Sequence, residues 1–488
     1  MQPSYDMSYR RTSIWNTIDW WTIVLYLIMV VAGWFSIYAA SYDFDQASIF
    51  DYSGRAGKQM VWILTSIVLI FVLLLIERDW YEIFAYWIYF LIILLLIATI
   101  FLARDIKGSH SWLEIGPVSL QPAEFAKFAT ALALSKMMGA YKFNLLETRN
   151  FIKILGLIFL PMVLIFLQKE TGSALVFVAF ILVLYREGMS GHIVFSGFCA
   201  IFFFITSVTY RDVYWNNTPV GVFAILFFII VIILKLLYDY EKGRGYHKHL
   251  FYILPGLLMI AIGISYIIPY DLSWVALGMI GFLILYFLLL FAKYRARNYI
   301  LITLFAVFSA GFLYSVDYVF DEVMKPHQQV RIQVALGVLD DPRGAGYNVN
   351  QSKIAIGSGG FLGKGYLNGT QTKLKYVPEQ DTDFIFCTIG EEKGFVGASF
   401  ILILFLILVV RLIFLAERQR EVFNRIYGYS VAFLIFFHLA VNIGMAIGIT
   451  PVIGIPLPFF SYGGSSLWAF TILLFIFLRL DASRRDRL

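Results

Sequence analysis

Long apolar segments constrain this chain more than any other feature. About 20 consecutive apolar residues cross a bilayer as a helix, and such runs recur from residues 20–40 to residues 466–480. The composition agrees, because 60% of the residues are hydrophobic and 14% are charged, whereas soluble domains carry roughly 25% charged residues. The runs are too long for strands and do not alternate, which excludes a transmembrane β-barrel. The sequence therefore predicts an all-α polytopic membrane protein.

We expect about 14 transmembrane helices. The predicted spans are 20–40, 59–76, 82–103, 119–138, 152–168, 173–186, 192–209, 219–238, 249–268, 272–292, 299–316, 394–415, 428–449 and 466–480. The loop 317–393 interrupts the series and is polar and rich in glycine. Loops longer than about 12–15 residues without their own structure are uncommon and are usually functional.

The positions of Lys and Arg predict the orientation, because short cytoplasmic loops carry an excess of both. Arg10 and Arg11 place the N-terminus in the cytoplasm, and an even number of spans places the C-terminus there too. The basic residues that then fall inside are Lys142, Arg149, Lys153, Lys242, Arg244, Lys248, Lys293, Arg295, Arg297, Arg418, Arg420, Arg425, Arg484, Arg485 and Arg487. The loop 317–393 and the segments 104–118 and 450–465 fall outside. These cytoplasmic loops account for the net charge of +6, so no nucleic-acid partner is expected.

The layout predicts four segments. They are an N-terminal membrane core at 1–210, inserted transmembrane helices at 219–316, the extracytoplasmic loop at 317–393, and a C-terminal membrane core at 394–488. The insertion has almost no polar residues within its spans, and a lipid-facing appendage is its simplest interpretation. The two cysteines, Cys199 and Cys387, are far apart and give neither a disulfide framework nor metal-ligand spacing.

The fourth span carries two ionisable residues, Glu124 and Lys127, which follow Gln121 by three and six residues. Charged groups within spans are rare and usually functional, and the i, i+3 spacing puts both on one helical face. Two interpretations follow: a structural ion pair that joins helices, or the polar wall of a cavity.

Acidic residues lie near the end of the long loop. Asp381 and Asp383 would point to the same side of an extended segment, although helix N-capping is the simpler role for an aspartate such as Asp383. Glu391 and Glu392 are expected at a helix surface, and Lys364 is expected in solvent.

The last predicted outer segment cannot be helical throughout, because it has three prolines in eight residues, from Pro451 to Pro458. Non-helical backbone at membrane depth occurs only inside protein or against water. We therefore expect a re-entrant loop that lines a cavity. Ser461, Gly463 and Gly464 follow it, and glycine N–H groups there could face a phosphate.

Four motifs together resemble the SEDS family (shape, elongation, division and sporulation). They are Gln121-Pro-Ala-Glu-Phe-Ala-Lys127, Gln351-Ser-Lys-Ile-Ala-Ile-Gly-Ser-Gly-Gly360, Pro378-Glu-Gln-Asp-Thr-Asp-Phe-Ile-Phe386 and Pro458-Phe-Phe-Ser-Tyr-Gly-Gly-Ser-Ser466. The resemblance covers the whole chain except 219–316, and the run from Gly363 to Gln371 looks like the elongation-type members.

The resemblance implies a glycosyltransferase of the bacterial cytoplasmic (inner) membrane that polymerises lipid II into peptidoglycan during elongation. It implies a ten-helix core, here with about four extra helices, and an essential aspartate at Asp383. It also carries over the glutamate and lysine at Glu124 and Lys127. The implied partners are the elongation machinery and a class B penicillin-binding protein, whose helix would dock near 394–449.

This sequence departs from the family pattern at three places. Asp381 replaces a histidine that is common in the family, and no arginine precedes Trp112 in Ser109-His-Ser-Trp112. The family's Gln-Pro-Asp-Leu-Gly reads Gln168-Lys-Glu-Thr-Gly172.

The mechanism expected from the resemblance is an inverting displacement of lipid pyrophosphate with Asp383 as general base. Lys127, Lys364, Arg331 and the Gly463-Gly464 backbone are candidates to stabilise the leaving group. Further candidate substrate-binding residues are Gln121, Glu124, Gln351, Ser352, Glu379, Thr382 and Ser461. A divalent cation, Mg²⁺ or Mn²⁺, could assist, but no ligand cluster demands one. The alternatives are a lipid II flippase and a non-catalytic scaffold of a penicillin-binding protein.

Overall fold

The computed structural model describes residues 14–485 except 43–47, 105–108, 116–117, 242–247, 340, 342–343 and 345. The α-helices in this part of the chain are α1 Ile14–Thr17, α2 Trp20–Ser41, α3 Arg55–Leu75, α4 Arg78–Leu102, α5 Pro122–Met138, α6 Thr148–Leu167, α7 Thr171–Leu175, α8 Ala179–Arg186, α9 Gly191–Thr209, α10 Val220–Glu241, α11 Lys248–Ser265, α12 Leu272–Tyr294, α13 Arg297–Tyr318, α14 Pro326–Ala335, α15 Tyr347–Ser358, α16 Thr370–Lys373, α17 Ile385–Glu417, α18 Val422–Ile447 and α19 Gly464–Ala482.

The remaining regular elements are short. Leu113–Ile115 pairs antiparallel with Val118–Leu120, and Tyr214–Trp215 pairs antiparallel with Thr218–Pro219. Val176–Val178 and Ser483–Arg485 form 3₁₀ turns, and Val319–Val323 forms a π-helical turn. The predicted all-α class is therefore confirmed, and the chain is a multi-pass membrane protein.

The predicted count of about 14 spans is not confirmed. Twelve helices of the described residues are long and apolar enough to cross a membrane. The other two predicted spans correspond to α5, which has 17 residues, and to Thr171–Arg186, which the 3₁₀ turn at Val176–Val178 interrupts. Of the residues used to predict orientation, Arg10, Arg11, Lys242, Arg244 and Arg487 lie outside the described residues.

The helices group into two compact units. One comprises residues up to Ser190 and from Tyr347 onwards, and the other comprises Gly191–Gly346. The second unit contains the predicted insertion and extends beyond it on both sides. Its core joins α10, α12 and α13 around residues such as Ile229, Leu283 and Ala306. The predicted segment boundaries at 210, 219, 316 and 393 stay predictions.

In the first unit, α5 is the central helix. All residues from Pro122 to Ser135 are buried, since α4, α6, α18 and α19 all pack against α5. A helix that is covered on every side needs no lipid-facing apolar stripe, which is why polar residues occur along α5.

Helix α17 is broken at Gly394, whose φ of 64° and ψ of −162° are not helical. A continuous helix would join the N–H groups of residues 395 and 396 to the carbonyls of Glu391 and Glu392. Here Phe395 N donates to Gly360 O (2.9 Å) and Val396 N to Phe361 O (3.1 Å). The glycine-rich loop thus accepts the bonds that the helix has lost.

The loop also donates to the carbonyls freed by the break. Lys364 N donates to Glu391 O and Gly365 N donates to Glu392 O, both at 3.0 Å. Glycine is required for this approach, because a Cβ on Gly363 would lie 2.2 Å from Glu392 O, and one on Gly394 would lie 2.3 Å from Gly363 N. The loop therefore satisfies the hydrogen bonds of the broken helix.

Close packing of α18 makes a testable prediction at Gly428. A Cβ there would lie 2.4 Å from the ring of the fully buried Phe477, so Gly428→Ala should destabilise the fold by about 1–3 kcal/mol through overpacking. Gly156→Ala is the matched control, because α6 leaves open space at that position. A lower thermal unfolding temperature for Gly428→Ala alone is expected. Equal unfolding temperatures for the two variants would show that Gly428 is not closely packed against Phe477.

Candidate functional site

The side chains of Gln380 and Asp381, shortly before α17, are bonded to the N-terminal helices of the first unit. Gln380 is buried, and its Nε2 donates to Ala40 O at the end of α2 (2.6 Å) and to Thr372 O (2.7 Å). Asp381 forms an ion pair with Arg55 at the start of α3. The segment that carries both predicted aspartates is therefore fixed against the N-terminal helices.

The carbonyls of this segment are held from the C-terminal side. Asp381 O accepts from Tyr462 N (2.8 Å), and Thr382 O accepts from Ser461 Oγ (2.6 Å). Asp383 O accepts from Asn442 Nδ2 on α18 (2.8 Å). Three successive backbone acceptors are thus bonded to groups far away in sequence, which leaves the segment little freedom to move.

Asp383 is half-buried at the end of this segment. The simpler role considered for it, helix N-capping, does not hold, because Phe384 is the N-cap of α17 and no side chain caps that helix. Its Oδ2 lies 3.3 Å from the place where a Cβ on Gly454 would stand. The carboxylate therefore rests against bare glycine backbone.

The segment 450–463, within the outer segment 450–465 predicted to be re-entrant, has no helix, and its residues 455 and 457–461 are buried. Its carbonyls receive bonds from α18: Asn442 Nδ2 donates to Ile455 O (2.7 Å), and His438 bonds Pro456 O through Nδ1 (3.0 Å). Ser461 Oγ also accepts from Leu457 N (2.8 Å). These side chains supply the partners that the missing helix would have supplied.

The amide predicted to face phosphate at Gly463 is already bonded. Gly463 N donates to Gln59 Oε1 on α3 (3.2 Å). Gly464 lies under an indole, since a Cβ there would be 2.6 Å from Trp62. In this arrangement both glycines serve packing between α3 and α19.

Glu124 and Lys127 do form an ion pair, and it is buried. Lys127 Nζ donates to Glu124 Oε2 (2.8 Å) and lies 4.6 Å from the centre of the Phe470 ring. It also lies 3.0 Å from His438 Nε2. Because an ammonium can only donate, His438 accepts at Nε2 and donates from Nδ1 to Pro456 O. The lysine is 2% exposed, which favours the structural interpretation of the pair.

The glycine-rich loop is held by Glu391, and the expectation of a surface position was wrong. Glu391 and Glu392 are buried, at 0% and 4% exposed. The carboxylate of Glu391 accepts from three successive backbone amides, those of Thr370 (2.7 Å), Gln371 (2.9 Å) and Thr372 (2.9 Å). The break at Gly394 turns the preceding helix into the protein, where its acids find loop donors.

Lys364 was expected in solvent and is instead paired. Its Nζ donates to Glu391 Oε1 and to Thr370 Oγ1, both at 2.7 Å. Nearby, Tyr366 OH donates to Phe35 O on α2 (3.2 Å). Burial raises the pKa of the Tyr366 phenol to about 12, so it remains a donor at neutral pH.

Two of the departures from the family pattern lie side by side. Glu170 Oε1 accepts from Ser109 Oγ (2.6 Å) and Ser111 Oγ (2.7 Å). Gly172, two residues later, packs so closely on the segment 450–463 that a Cβ would be 2.1 Å from Ile453 O. Gly172 thus packs on the backbone segment that includes Gly454, next to Asp383.

The other predicted residues are spread over the structure. Gln121 is the N-cap of α5, and its N donates to Ser465 Oγ (3.2 Å). Ser352 is buried and donates to Ala446 O (2.8 Å), and Gln351 precedes it on α15. Glu379, at φ 54°, accepts the amides of residues 382 and 384. Arg331 lies on α14 of the second unit.

Sequence reasoning missed Arg55, Gln59, Gln380, His438 and Asn442. A signal existed for two of them, because His438 and Asn442 lie four residues apart on one face of a predicted span. The rule applied to Glu124 and Lys127 would have found the ionisable His438, and its one-face spacing would then have led to Asn442. Among the described residues, no group of three or more His, Cys, Asp or Glu side chains could hold a metal ion.

Comparisons with known proteins agree on one family. The model of the cell cycle proteins FtsW, RodA and SpoVE matches residues 19–218 and 224–486. Peptidoglycan glycosyltransferase RodA of Treponema pallidum is 27% identical over 468 residues, which are 96% of this chain and 98% of that protein. Peptidoglycan glycosyltransferase MrdB of Escherichia coli K12 is 28% identical over 415 residues, which are 85% and 82% of the two chains.

Solved structures show the same fold. A chain of a peptidoglycan synthase complex aligns with a TM-score of 0.58 and 23% identity, over 96% of this chain and 99% of that one. The rod shape determining protein RodA of Thermus thermophilus aligns with a TM-score of 0.52 and 21% identity, over the same shares of the two chains.

The bonds made by Glu391 predict a local effect of its charge. Glu391→Gln should lower the free energy of unfolding by about 2–3 kcal/mol. The variant replaces a charged acceptor of several donors by an amide, whose N–H₂ group cannot accept from them. Hydrogen exchange at Thr370, Gln371 and Thr372 should accelerate.

Glu392→Gln is the matched control, since among the described residues that carboxylate accepts from one backbone amide, that of Leu367 (3.0 Å). Equal acceleration of exchange in both variants would show that Glu391 does not hold the loop.

Proposed function

Because the chain belongs to the FtsW, RodA and SpoVE family of cell cycle proteins, we propose that it is a peptidoglycan glycosyltransferase that polymerises lipid II during cell elongation. Relatives that align over most of their length bear the name peptidoglycan glycosyltransferase. The observation that carries the proposal is the half-buried carboxylate of Asp383, on a segment held by α2, α3, α18 and the residues before α19.

In the proposed reaction, the 4-hydroxyl of one GlcNAc attacks the anomeric carbon of a MurNAc. The bond from that carbon to the lipid pyrophosphate breaks, and an α-phosphate is replaced by a β-glycoside. One inverting displacement suffices, so a general base is required and an enzyme nucleophile is not. Asp383 accepts the proton of the hydroxyl, a contribution of about 10²–10⁴-fold.

The arrangement suits a general base because it fixes the backbone while the carboxylate side chain stays partly exposed. The three bonds to the carbonyls of residues 381–383 hold the main chain. Gly454 presents no side chain to compete for the space beside Oδ2. A base held in one orientation loses little entropy when the substrate hydroxyl arrives.

For the leaving pyrophosphate we propose Lys364 as a cationic partner. Lys364 keeps about a quarter of its side chain exposed while paired with Glu391. Lys127 is enclosed by Glu124, His438 and Phe470, so we assign it to positioning. Through His438 it supports Pro456 O, in the same segment as Gly454.

We further propose that the chain lies in the bacterial inner membrane with both termini in the cytoplasm, and that a class B penicillin-binding protein docks on 394–449. One solved structure with this fold belongs to a peptidoglycan synthase complex. A row of exposed apolar residues follows one face of α17 at helical spacing, as a partner helix requires. Its members are Phe400, Ile403, Ile407, Val410 and Phe414.

The first test is Asp383→Asn in the purified complex with the partner's transpeptidase site blocked. We expect glycan ladders from labelled lipid II with the wild type and a loss of at least about 100-fold in the variant, because the amide cannot accept the proton. Asp51→Asn is the control for loss of a carboxylate, since Asp51 lies in the loop before α3.

Polymerisation by folded Asp383→Asn at the wild-type rate would remove the base. Absence of any polymer from the wild type would favour the flippase or the scaffold, which need no chemistry at Asp383.

The second test concerns the backbone beside Asp383. Gly454 has a φ of 70°, so Gly454→Ala adds backbone strain of about 1–2 kcal/mol and places a methyl group 3.3 Å from Asp383 Oδ2. We expect about a 10- to 100-fold loss of polymerisation.

Gly360→Ala carries the same kind of strain at φ 58°, with open space around it. It should lose stability but little activity. Equal loss of activity in both variants would show that strain, and not contact with Asp383, is responsible.

A further inference from the structure

Asp381 is a buried carboxylate two residues before Asp383. It is 4% exposed, although an ionised carboxylate is costly to bury unless a positive charge pairs with it. Arg55, the first residue of α3, supplies that charge through Nη1. Asp381, which replaces a histidine that is common in the family, is thus the acidic partner of an ion pair.

Arg55 also lies against the segment before α19. Its guanidinium carbon is 5.7 Å from the centre of the Tyr462 ring, and Tyr462 N donates to Asp381 O (2.8 Å). Gln59, one turn further along α3, accepts from Gly463 N (3.2 Å). The ion pair is therefore the centre of a contact between α3, residues 462–463 and the segment that ends at Asp383.

The charge of Arg55 is paired with that of Asp381. The Asp381 side chain is 5% exposed and that of Arg55 is 49% exposed, so the pair closes on the protein side of the guanidinium. Pairing with Asp381 neutralises the guanidinium, which weakens its attraction for the pyrophosphate of a substrate. Attraction to Asp381 is the interaction that this geometry favours.

We propose that Arg55 is a positioning residue, which acts through Asp381 to set the place of the Asp383 carboxylate. The inference rests on the proposed function. Loss of either charge leaves the other uncompensated and lets residues 381–383 shift, and a shift of about 1 Å costs about 100-fold in rate. Loss of both charges removes the same single interaction, so the double variant should lose no more activity than either single variant.

The test is a double-mutant cycle with Arg55→Gln, Asp381→Asn and the double variant, each purified as the full chain with its partner. Polymerisation of lipid II is measured as kcat and KM. We expect each single variant and the double variant to lose about 100-fold in kcat, with KM changed less than about threefold, because residues that act as a unit are not additive.

Arg55→Lys keeps a positive charge for the single bond that Nη1 makes, and it should recover most of the kcat lost in Arg55→Gln. If Arg55→Gln fails to fold, Arg55→Met, which also removes the charge, takes its place in the cycle with Asp381→Asn. Lys58→Gln is the matched control, because Lys58 is an exposed cation on the same turn of α3. It should leave kcat unchanged.

A double variant that loses about 10⁴-fold, the product of the single effects, would overturn the inference, because the residues would then act independently. A rise in KM for Arg55→Gln alone would also overturn it, since Arg55 would then contact substrate. Neither result affects the proposed function, which fails only if the wild type makes no polymer.

Discussion

Three consecutive carbonyl groups, those of Asp381, Thr382 and Asp383, accept hydrogen bonds from Tyr462 N, Ser461 Oγ and Asn442 Nδ2. Backbone acceptors enclosed by apolar helices cannot rely on water and must find protein donors. The donors come from α18 and from the residues before α19, so the segment that carries the proposed base is built only when the C-terminal helices are in place. The order of residues along the chain says little about this contact, because about 60 to 80 residues separate each donor from its acceptor.

A second constraint lies at the broken helix α17. The break at Gly394 frees two N–H groups and two carbonyls, and the loop 360–365 provides bonds to all four. Glycines at 363 and 394 allow the two backbones to touch, and Glu391 then holds the amides of residues 370–372. Residues 360–372 of the long polar loop are consequently a part of the folded core of the first unit. Because this loop is held in place, Thr372 O is a fixed acceptor for Gln380, which lies three residues before Asp383.

The charged residues within the membrane core divide by role. Lys127 and Glu124 are enclosed and lie beside His438, which reaches Pro456 O. This cluster supports the non-helical segment 450–463, and that segment in turn faces Asp383 through Gly454. The cost of burying two charges is offset by their mutual attraction and by the bonds around them. The ionisable residues of this span thus contact, through His438, the segment that lies beside the half-buried Asp383, which we propose as the base.

Periodicity and composition alone determined that the chain is helical and crosses a membrane many times, because hydrophobic length is a local property. Motifs in order determined the family and indicated Asp383. Only the tertiary structure decided that Glu391 and Glu392 are buried, that Gly463 N is bonded to Gln59, and that Arg55 pairs with Asp381. Each of these facts depends on contact between residues far apart in sequence, and a linear pattern carries no information on which distant donor meets which acceptor. The 17-residue α5 shows the same limit, since its polar residues are explained by the helices that surround it.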